Sequence, residues 1–190
     1  MAELVSAPRA ALIATPTLPL GGTTLVGDTE LHMLPPRALV RLQVPRHAIG
    51  AAGEVRIGAT SLPTTPGQCA GDDPAALWLA PDGWLLVSES LDGAGLADLA
   101  RRACGERTAA AVDVSDAMVV FELRGLRLRD LLSRGTGLSL DDEVLTVGRC
   151  TRTRLAQLAV ILRPRADGRL ELMVDRGPAA WLRDWFIDAG

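Results

Sequence analysis

The three cysteines and two histidines are the residues of this sequence best suited to nucleophilic or metal chemistry. Cys69, Cys104 and Cys150 are 35 and 46 residues apart, so no two of them have the spacing of a metal-binding or redox pair. His32 and His47 lie near prolines, with no carboxylate or cysteine at catalytic spacing. A nucleophile needs an adjacent base, and the sequence shows neither a serine elbow nor a cysteine and histidine constellation. We therefore predict no catalytic and no metal-binding residue, and we interpret each cysteine as a small core residue in a reducing compartment.

A glycine-rich segment opens one predicted helix and partly matches the phosphate-binding turn of dinucleotide-binding proteins. Gly93 and Gly95 have the required spacing, but Asp98 stands where a third glycine or alanine is needed. Its carboxylate would repel a pyrophosphate, and the strands around it predict a hairpin rather than a parallel unit. We therefore expect no dinucleotide here. The sequence also contains no lysine, which excludes a Schiff base, lysine-bound pyridoxal phosphate and a P-loop.

Acidic residues cluster in predicted loops and at one strand junction. Asp72–Asp73 and residues 141–143 lack the glycine-punctuated pattern of a calcium loop, so solvated loop charge explains them better than a cation site. Asp113 and Asp116 flank the junction of two predicted strands. We interpret them as turn residues whose side chains bind nearby backbone.

Arginines are the most informative charged residues. Arg149, Arg152 and Arg154 surround one predicted strand, and Arg152 and Arg154 share a face if that strand is extended. Arg163 and Arg165 end the next stretch. Because a guanidinium binds carboxylates through two hydrogen bonds, this cluster suits a protein interface better than a nucleic-acid patch in an acidic chain. A solvated strand face explains the same pattern equally well, so both interpretations stay open.

Composition narrows the class of protein further. The 190 residues include 20 arginines against 23 acidic residues, which gives a net charge of −3, and 3% are aromatic. The chain therefore has neither a basic field nor platforms on which bases would stack, and we exclude nucleic acid as a partner. The apolar fraction of 48% fits either a large core or an apolar face that a partner covers. Pro16 and Pro19 interrupt the longest uncharged run, so we predict a cytoplasmic protein with no membrane span and no signal peptide.

The spacing of apolar residues predicts two similar rounds of strands and helices. Pro81 and Gly83 predict a tight hairpin turn, because proline presets the first dihedral angle and glycine tolerates the positive one. Ser115–Asp116 predicts a second strand pair around it. The predicted elements are strands 38–44 and 55–57, a hairpin of strands 77–80 and 84–87, helix 95–104, a pair of strands 109–114 and 118–123, helix 126–134, and strands 155–162 and 170–174.

Two parts of the chain differ in pattern. Residues 1–36 predict an extended N-terminal arm, because their prolines forbid a long helix while their apolar residues are too numerous for a solvated linker. Such an arm needs a surface to lie on, which is either this chain or another subunit. Residues 37–190 predict a single α+β domain of ferredoxin-like units, with antiparallel sheets and helices on one face.

A last predicted helix begins at Pro178. Its apolar stripe consists of Trp181, Leu182, Trp185 and Phe186. Ile187 lies outside that stripe, among charged residues. We therefore identify Ile187, together with Arg152 and Arg154, as a candidate contact with a partner. Ordinary exposure on a monomer explains Ile187 equally well.

Several segments also match a known family in content and order. They are Ala76–Leu86, Val112–Asp116, Leu123–Leu132, Gly148–Ala156 and Val174–Arg176, followed by the C-terminal helix with its tryptophans. Together they resemble the gamma subunit of heterotetrameric sarcosine oxidase, over roughly residues 36–190. Gly125 and the strand and leucine-rich helix beside it are also similar to the folate-binding domain of the aminomethyltransferase and glycine-cleavage T-protein family. The resemblance implies a folate-binding-domain-like fold.

The resemblance also implies a complex of alpha, beta, gamma and delta chains. That complex oxidises sarcosine, or a related N-methylated amino acid, and passes the one-carbon unit to tetrahydrofolate. FAD, NAD, FMN and tetrahydrofolate then belong to the partner subunits, and this chain serves assembly or stabilisation without catalysing a step. The alternative is a stand-alone folate-binding protein related to the aminomethyltransferases. We find no match here to the carboxylate with which folate-binding members hold the pterin.

Overall fold

The computed structural model describes residues 22–45 and 55–190. The strands, in chain order, are β1 (Thr23–Val26), β2 (Thr29–Met33), β3 (Ala38–Gln43), β4 (Arg56–Ile57), β5 (Thr60–Ser61), β6 (Cys69–Ala70), β7 (Ala75–Ala80), β8 (Gly83–Ser88), β9 (Ala110–Asp113), β10 (Met118–Arg124), β11 (Thr151–Leu155), β12 (Leu158–Pro164) and β13 (Leu170–Asp175). The helices are α1 (Gly93–Cys104), α2 (Leu128–Ser133) and α3 (Ala179–Ala189), and a 3₁₀ turn spans Ala166–Gly168. His47, one of the two histidines considered above, lies outside the described residues.

Hydrogen bonds join these strands into two large sheets. The six-stranded sheet has the order β1-β2-β10-β13-β12-β11, the five-stranded sheet has the order β6-β7-β8-β3-β9, and β4 pairs with β5. Within the described residues, the neighbouring strands of both sheets are antiparallel. Strands β8 and β9 are joined by α1 and separated by β3, which is the split βαβ arrangement of ferredoxin-like folds.

The two sheets pack face to face, with helices on the outer face of each. Leu39 and Leu85 of the five-stranded sheet meet Ile161 and Met173 of the six-stranded sheet in a shared apolar layer. Because successive residues of a strand point to opposite faces, Val40 lies instead in the layer beneath α1. Helices α2 and α3 bury their apolar sides on the outer face of the six-stranded sheet. The predicted α+β class, with antiparallel sheets and helices on one face of each, is confirmed.

Part of the predicted N-terminal arm belongs to the six-stranded sheet. Residues 1–21 lie outside the described residues, but β1 and β2 form a hairpin, and β2 pairs with β10 from Met33 to Glu30. Val26, Leu31 and Met33 are buried in the layer under α2 and α3. Residues 23–33 therefore contribute to the sheet and the core of this chain, so the predicted boundary after residue 36 separates two strands rather than an arm from a domain.

The junction at Ser115 connects the two sheets, so the predicted pairing of the strands around it is wrong. β9 pairs with β3 in one sheet, whereas β10 pairs with β13 and β2 in the other. Ser115 Oγ accepts a 3.0 Å hydrogen bond from the Leu39 amide, and Asp113 Oδ1 accepts a 2.9 Å bond from the Ser115 amide. These bonds hold the crossing segment, and they confirm the structural interpretation of Asp113.

One predicted strand, 155–162, is divided by a turn. β11 and β12 form a hairpin whose two turn residues, Ala156 and Gln157, have positive φ angles of 49° and 68°. Positive φ at both positions is typical of the type I′ turn, which matches the twist of the adjoining strands. Neither residue is a usual turn former, so local sequence gave no turn signal there.

The hairpin around Pro81 and the helices agree with the sequence. β7 ends at Ala80 and β8 begins at Gly83, and α1, α2 and α3 lie within or beside their predicted ranges. In the part of the chain that the structure describes, no helix has both the length and the apolar character needed to cross a membrane.

Candidate functional site

A row of polar side chains crosses the six-stranded sheet where the shared apolar layer ends. Cross-strand pairing places Arg163 of β12 opposite Glu171 of β13. Glu171 in turn is opposite Glu122 of β10, which is opposite His32 of β2. Arg163 follows Ile161 by two residues and therefore shares its face of the sheet. The row thus faces the space between the sheets and not the helices.

Three guanidinium groups converge on the buried carboxylate of Glu171. Its Oε1 accepts a 2.7 Å hydrogen bond from Arg37 Nη1, and its Oε2 accepts a 3.3 Å bond from Arg163 Nη1. The Nε atom of Arg165 lies 3.8 Å from Oε1. Arg37 also binds Glu89, just after β8, at 3.0 Å, so the cluster links the two sheets. We call Arg37, Arg163, Arg165 and Glu171 the buried ion cluster.

The buried ion cluster is suited to holding the fold rather than to proton transfer. Glu171 is 2% exposed and Arg163 is 5% exposed. Burial lowers the pKa of the Arg163 guanidinium, and the Glu171 carboxylate opposes that shift. Both carboxylate oxygens of Glu171 already accept bonds from arginines, whereas a general base must face the proton that it removes.

A small cavity opens beside the buried ion cluster. Its volume is about 190 Å³, and its walls include Cys69, Arg163, Arg165 and Arg169. Arg169 Nη1 lies 3.4 Å from the Glu122 carboxylate at the neighbouring row position. Pockets for drug-sized ligands measure roughly 300–1,000 Å³, so this cavity is too small for a flavin or a nicotinamide dinucleotide.

The start of α1 does not fit a dinucleotide either. Asp92 Oδ1 accepts a 2.7 Å hydrogen bond from the Gly95 amide. The Asp113 carboxylate packs so closely against Gly93 that a Cβ there would clash with it. A pyrophosphate at this end of the helix would meet both carboxylates, so these residues are unsuited to the group that the glycine spacing suggests.

The candidate interface residues Arg152 and Arg154 lie on β11, at the edge of the six-stranded sheet. Both are exposed, and their partners across the hairpin are Ile161 and Ala159, which places them on the face that carries Arg163. Neither guanidinium forms an ion pair with any residue in the ranges that the structure describes. Their side chains are about 7 Å apart along the strand, because two residues of a strand advance by that distance. We call Arg152 and Arg154 the edge arginines.

The third candidate residue, Ile187, lies on the outer side of α3 and is 48% exposed. Leu182 and Phe186 of the predicted stripe are fully buried, as expected. Trp185 is only partly buried and packs edge-on against Phe186, with ring centroids 5.2 Å apart. Trp181 is 50% exposed and therefore lies outside the core, which corrects the predicted stripe.

Two cysteines that the sequence separates are neighbours in the structure. Both pack in the apolar layer between the sheets, where Cys150 Sγ donates a 3.3 Å hydrogen bond to the Trp78 carbonyl. The interaction between the two thiols raises the pKa of Cys69 and lowers the pKa of Cys150. Arg163 adds to the lowering at Cys150 through its positive charge. Their spacing in the sequence does not indicate this proximity, because only the fold brings them together, and all three cysteines are free thiols. Cys104 is a buried core residue of α1, as predicted. Among the described residues, no three His, Cys, Asp or Glu side chains are grouped as metal ligands would be.

Comparison with known proteins decides the family. Residues 44–190 match the model of the sarcosine oxidase, gamma subunit family. The chain belongs to this family. The gamma subunit of sarcosine oxidase from Corynebacterium sp. (strain U-96) is 28% identical over 145 residues, which are 74% of this chain and 70% of that protein. The gamma subunit from an Arthrobacter species is 32% identical over 118 residues, 60% of this chain and 57% of that protein.

Solved structures agree with the assignment to the gamma subunit family. A chain of the heterotetrameric sarcosine oxidase from Corynebacterium sp. U-96, in complex with pyrrole 2-carboxylate, matches with a TM-score of 0.76 and 25% identity, over 87% of this chain and 86% of that chain. The glycine cleavage system aminomethyltransferase T from Bartonella henselae matches with a TM-score of 0.55 and 18% identity, over 85% of this chain and 46% of that chain. The second match shows the fold alone. Both resemblances inferred from the sequence are confirmed.

Proposed function

We propose that this gamma subunit is a non-catalytic chain that assembles and stabilises a cytoplasmic, sarcosine oxidase-like flavoprotein complex. Its partners are alpha, beta and delta subunits, which hold FAD, NAD, FMN and tetrahydrofolate. The complex oxidises sarcosine or a related N-methylated amino acid and passes the one-carbon unit to tetrahydrofolate. Family membership supports this proposal, because the matched relatives are gamma subunits and the solved relative comes from a heterotetrameric enzyme.

The edge arginines are the observation that carries the assembly role. They project as two adjacent positive charges from an exposed edge strand, without an ion pair among the described residues. A carboxylate pair on a partner would be bound there by charge-assisted hydrogen bonds, which are the stronger class. Removing one member of such a pair in a buried interface costs about 2–5 kcal/mol, against at most about 1 kcal/mol at an exposed site.

Ile187 gives the assembly role a second, independent surface. It is a large apolar side chain on the outer half of α3, between the charged residues Arg183, Asp184 and Asp188. Protein interfaces commonly have an apolar centre from which water is excluded, with polar residues around it. Ile187 and the charged residues beside it show this arrangement on a small scale.

Co-expression tests the proposal most simply. The chain is produced alone and together with the proposed alpha, beta and delta subunits, and each preparation is purified through a tag on the gamma subunit. We expect recovery of a four-subunit complex with a visible flavin spectrum, whereas the chain alone shows only tryptophan absorbance. Titration of the isolated chain with tetrahydrofolate, followed by tryptophan fluorescence, should show no saturable change.

The alternative function predicts the opposite result in the same experiment. A stand-alone folate-binding protein would remain alone in the co-expression and would bind tetrahydrofolate with a stoichiometry near one. The T-protein-like fold is the observation that favours this alternative. That result, or a flavin band in the spectrum of the isolated chain, would overturn the proposal.

A further inference from the structure

The two neighbouring cysteines lie where the edges of the two sheets meet. Cys69 begins β6, the edge strand of the five-stranded sheet, and Cys150 immediately precedes β11, the edge strand of the six-stranded sheet. Between them, Gln68 and Arg149 form an isolated antiparallel bridge. This bridge is a backbone link between two segments that lie some eighty residues apart in the sequence.

The register of that bridge places the two thiols on the same side of the backbone. The Cys69 amide donates a 2.7 Å hydrogen bond to the Gly148 carbonyl, and the Cys150 amide donates a 2.7 Å bond to the Gly67 carbonyl. Each cysteine is therefore one residue beyond the bridged pair, on the face opposite Gln68 and Arg149. Diagonal neighbours of this kind lie about 7–8 Å apart. Both cysteines pack into the apolar layer that the two sheets share, and each alters the pKa of the other.

The pair has both access to solvent and a positive charge beside it. Cys69 is partly exposed and lines the cavity of about 190 Å³ described above. Arg163 lines the same cavity and acts on both sulfurs. Reactive thiols are found in such electropositive, partly exposed surroundings, whereas Cys104 is closed into the core under α1.

We propose that Cys69 and Cys150 form a reversible disulfide when the subunit meets a hydroperoxide. The bond would join the edge strands of the two sheets beside the edge arginines. Cys104 takes no part in it.

The reaction balances with hydrogen peroxide as the oxidant. One proton is lost from Cys150, and its thiolate takes the proton of Cys69 while the cavity-facing sulfur of Cys69 attacks the peroxide, so that an S–O bond forms, the O–O bond breaks and hydroxide leaves. This first hydroxide removes the proton from Cys150 again. The Cys150 sulfur then attacks the oxidised sulfur, so that the S–S bond forms, the S–O bond breaks and a second hydroxide leaves. The two thiol protons convert the hydroxides to two water molecules, and two electrons pass from the sulfurs to the peroxide.

Closing this bond constrains the unfolded chain. The loop from Cys69 to Cys150 spans 81 residues, and a cross-link over a loop of that size restricts the unfolded ensemble strongly. We therefore expect the midpoint of thermal unfolding to rise by about 10 °C on oxidation. The start of β11 would be fixed to the five-stranded sheet at the same time.

The test is peptide mapping of the full-length chain after treatment with hydrogen peroxide. Free thiols are alkylated, the chain is digested with trypsin, and the digest is analysed with and without a reducing agent. Because the chain is cut after arginine, Cys69, Cys104 and Cys150 fall in separate peptides, residues 57–101, 103–107 and 150–152. We expect peptides 57–101 and 150–152 to be joined in the unreduced sample and released by reduction, while 103–107 stays alkylated.

Variants separate this bond from other oxidation. Cys104→Ser should keep the cross-linked peptide and the rise in the unfolding midpoint, whereas Cys69→Ser, at a partly exposed position, should lose both. Intact mass should show a monomer lighter by two hydrogen atoms. Alkylation of all three cysteines after peroxide, a sulfinic acid at Cys69, or cross-links between two chains would overturn the proposal.

Discussion

The buried ion cluster and the edge arginines use the same residue type on neighbouring strands of one sheet face, with opposite results. Arg163 on β12 is buried and bound to Glu171. Arg152, on β11 next to it, is exposed and has no ion pair among the described residues. Arg163 shares a cavity wall with Cys69 of the other sheet, whereas Arg152 lies on an edge strand and is open to solvent. The residue type is the same in both cases. Whether the other sheet covers the arginine therefore decides whether it stabilises this chain or is available to a partner.

The difference is also energetic. A buried guanidinium must keep its carboxylate, because an unpaired charge in the interior is strongly unfavourable. An exposed guanidinium remains hydrated and can exchange water for a partner's carboxylate. Loss of the first should therefore affect folding, and loss of the second should affect only assembly.

Removing the carboxylate of the buried ion cluster should give the largest effect. Glu171→Gln leaves Arg163 buried without a counter-charge, and we expect the free energy of unfolding to fall by about 3–5 kcal/mol. Glu122→Gln is the matched control, because Glu122 is more exposed and its 3.4 Å pair with Arg169 lies nearer the solvent. That variant should cost less than about 1 kcal/mol. Equal losses in chemical denaturation of the two variants would mean that cover by the second sheet does not matter.

Helix α3 offers the same contrast with apolar residues. Trp185→Ala removes a partly buried ring that packs on Phe186, so we expect a loss of about 2–3 kcal/mol, below the 3–5 kcal/mol of a fully buried aromatic residue. Ile187→Asp, two residues along, should stay within about 0.5 kcal/mol of the native chain while reducing recovery of the complex. Thermal unfolding and co-purification of both variants measure these effects. A strongly destabilised Ile187→Asp chain would show that Ile187 packs on the core.

The segment that connects the two sheets contains the carboxylate of Asp113, which is bound by the hydroxyl and the amide of Ser115 and not by arginines. The hydrogen bonds from Ser115 lower the pKa of Asp113, so its folded form is more acidic than its unfolded form. The stability that this adds is present above the unfolded pKa of about 3.9 and is lost as the pH falls through the lower folded value. Between pH 6 and pH 2, the free energy of unfolding should therefore fall less for Asp113→Asn than for the native chain. Ser115→Ala should reduce the pH dependence in the same direction, and an unchanged profile in both variants would contradict the assignment.

Local pattern predicted the elements of this fold better than their pairing. The turn at Pro81–Asp82 has a residue-level signature, and α1 has a clear apolar period, so both were placed correctly. The strands on either side of Ser115 were also found, but their partners were not, because periodicity within a strand carries no information about which sheet it joins. The hairpin turn at Ala156 was missed because an alanine with positive φ has no sequence signal.

The residues of the candidate site also fall into a group that local sequence pattern predicts and a group that it does not. The shared face of Arg152 and Arg154 and the position of Ile187 outside the buried stripe follow from strand and helix phase alone, so the sequence could indicate them. The buried ion cluster and the contact between Cys69 and Cys150 depend on register between distant segments. One signal for the cluster is present in the sequence: Glu171 interrupts the apolar run Leu170–Val174, at a position on the same strand face as the buried Met173.

The central claim is that the edge arginines serve assembly and not folding, and the dissociation constant of the complex tests it most directly. Arg152→Ala/Arg154→Ala is compared with Arg102→Ala/Arg124→Ala, which removes the same charge from exposed positions elsewhere. The account predicts unchanged thermal unfolding for both variants and a dissociation constant at least about 30-fold higher for the first only, equivalent to about 2 kcal/mol. Equal dissociation constants for the two double variants, measured against the same preparation of partner subunits, would contradict it.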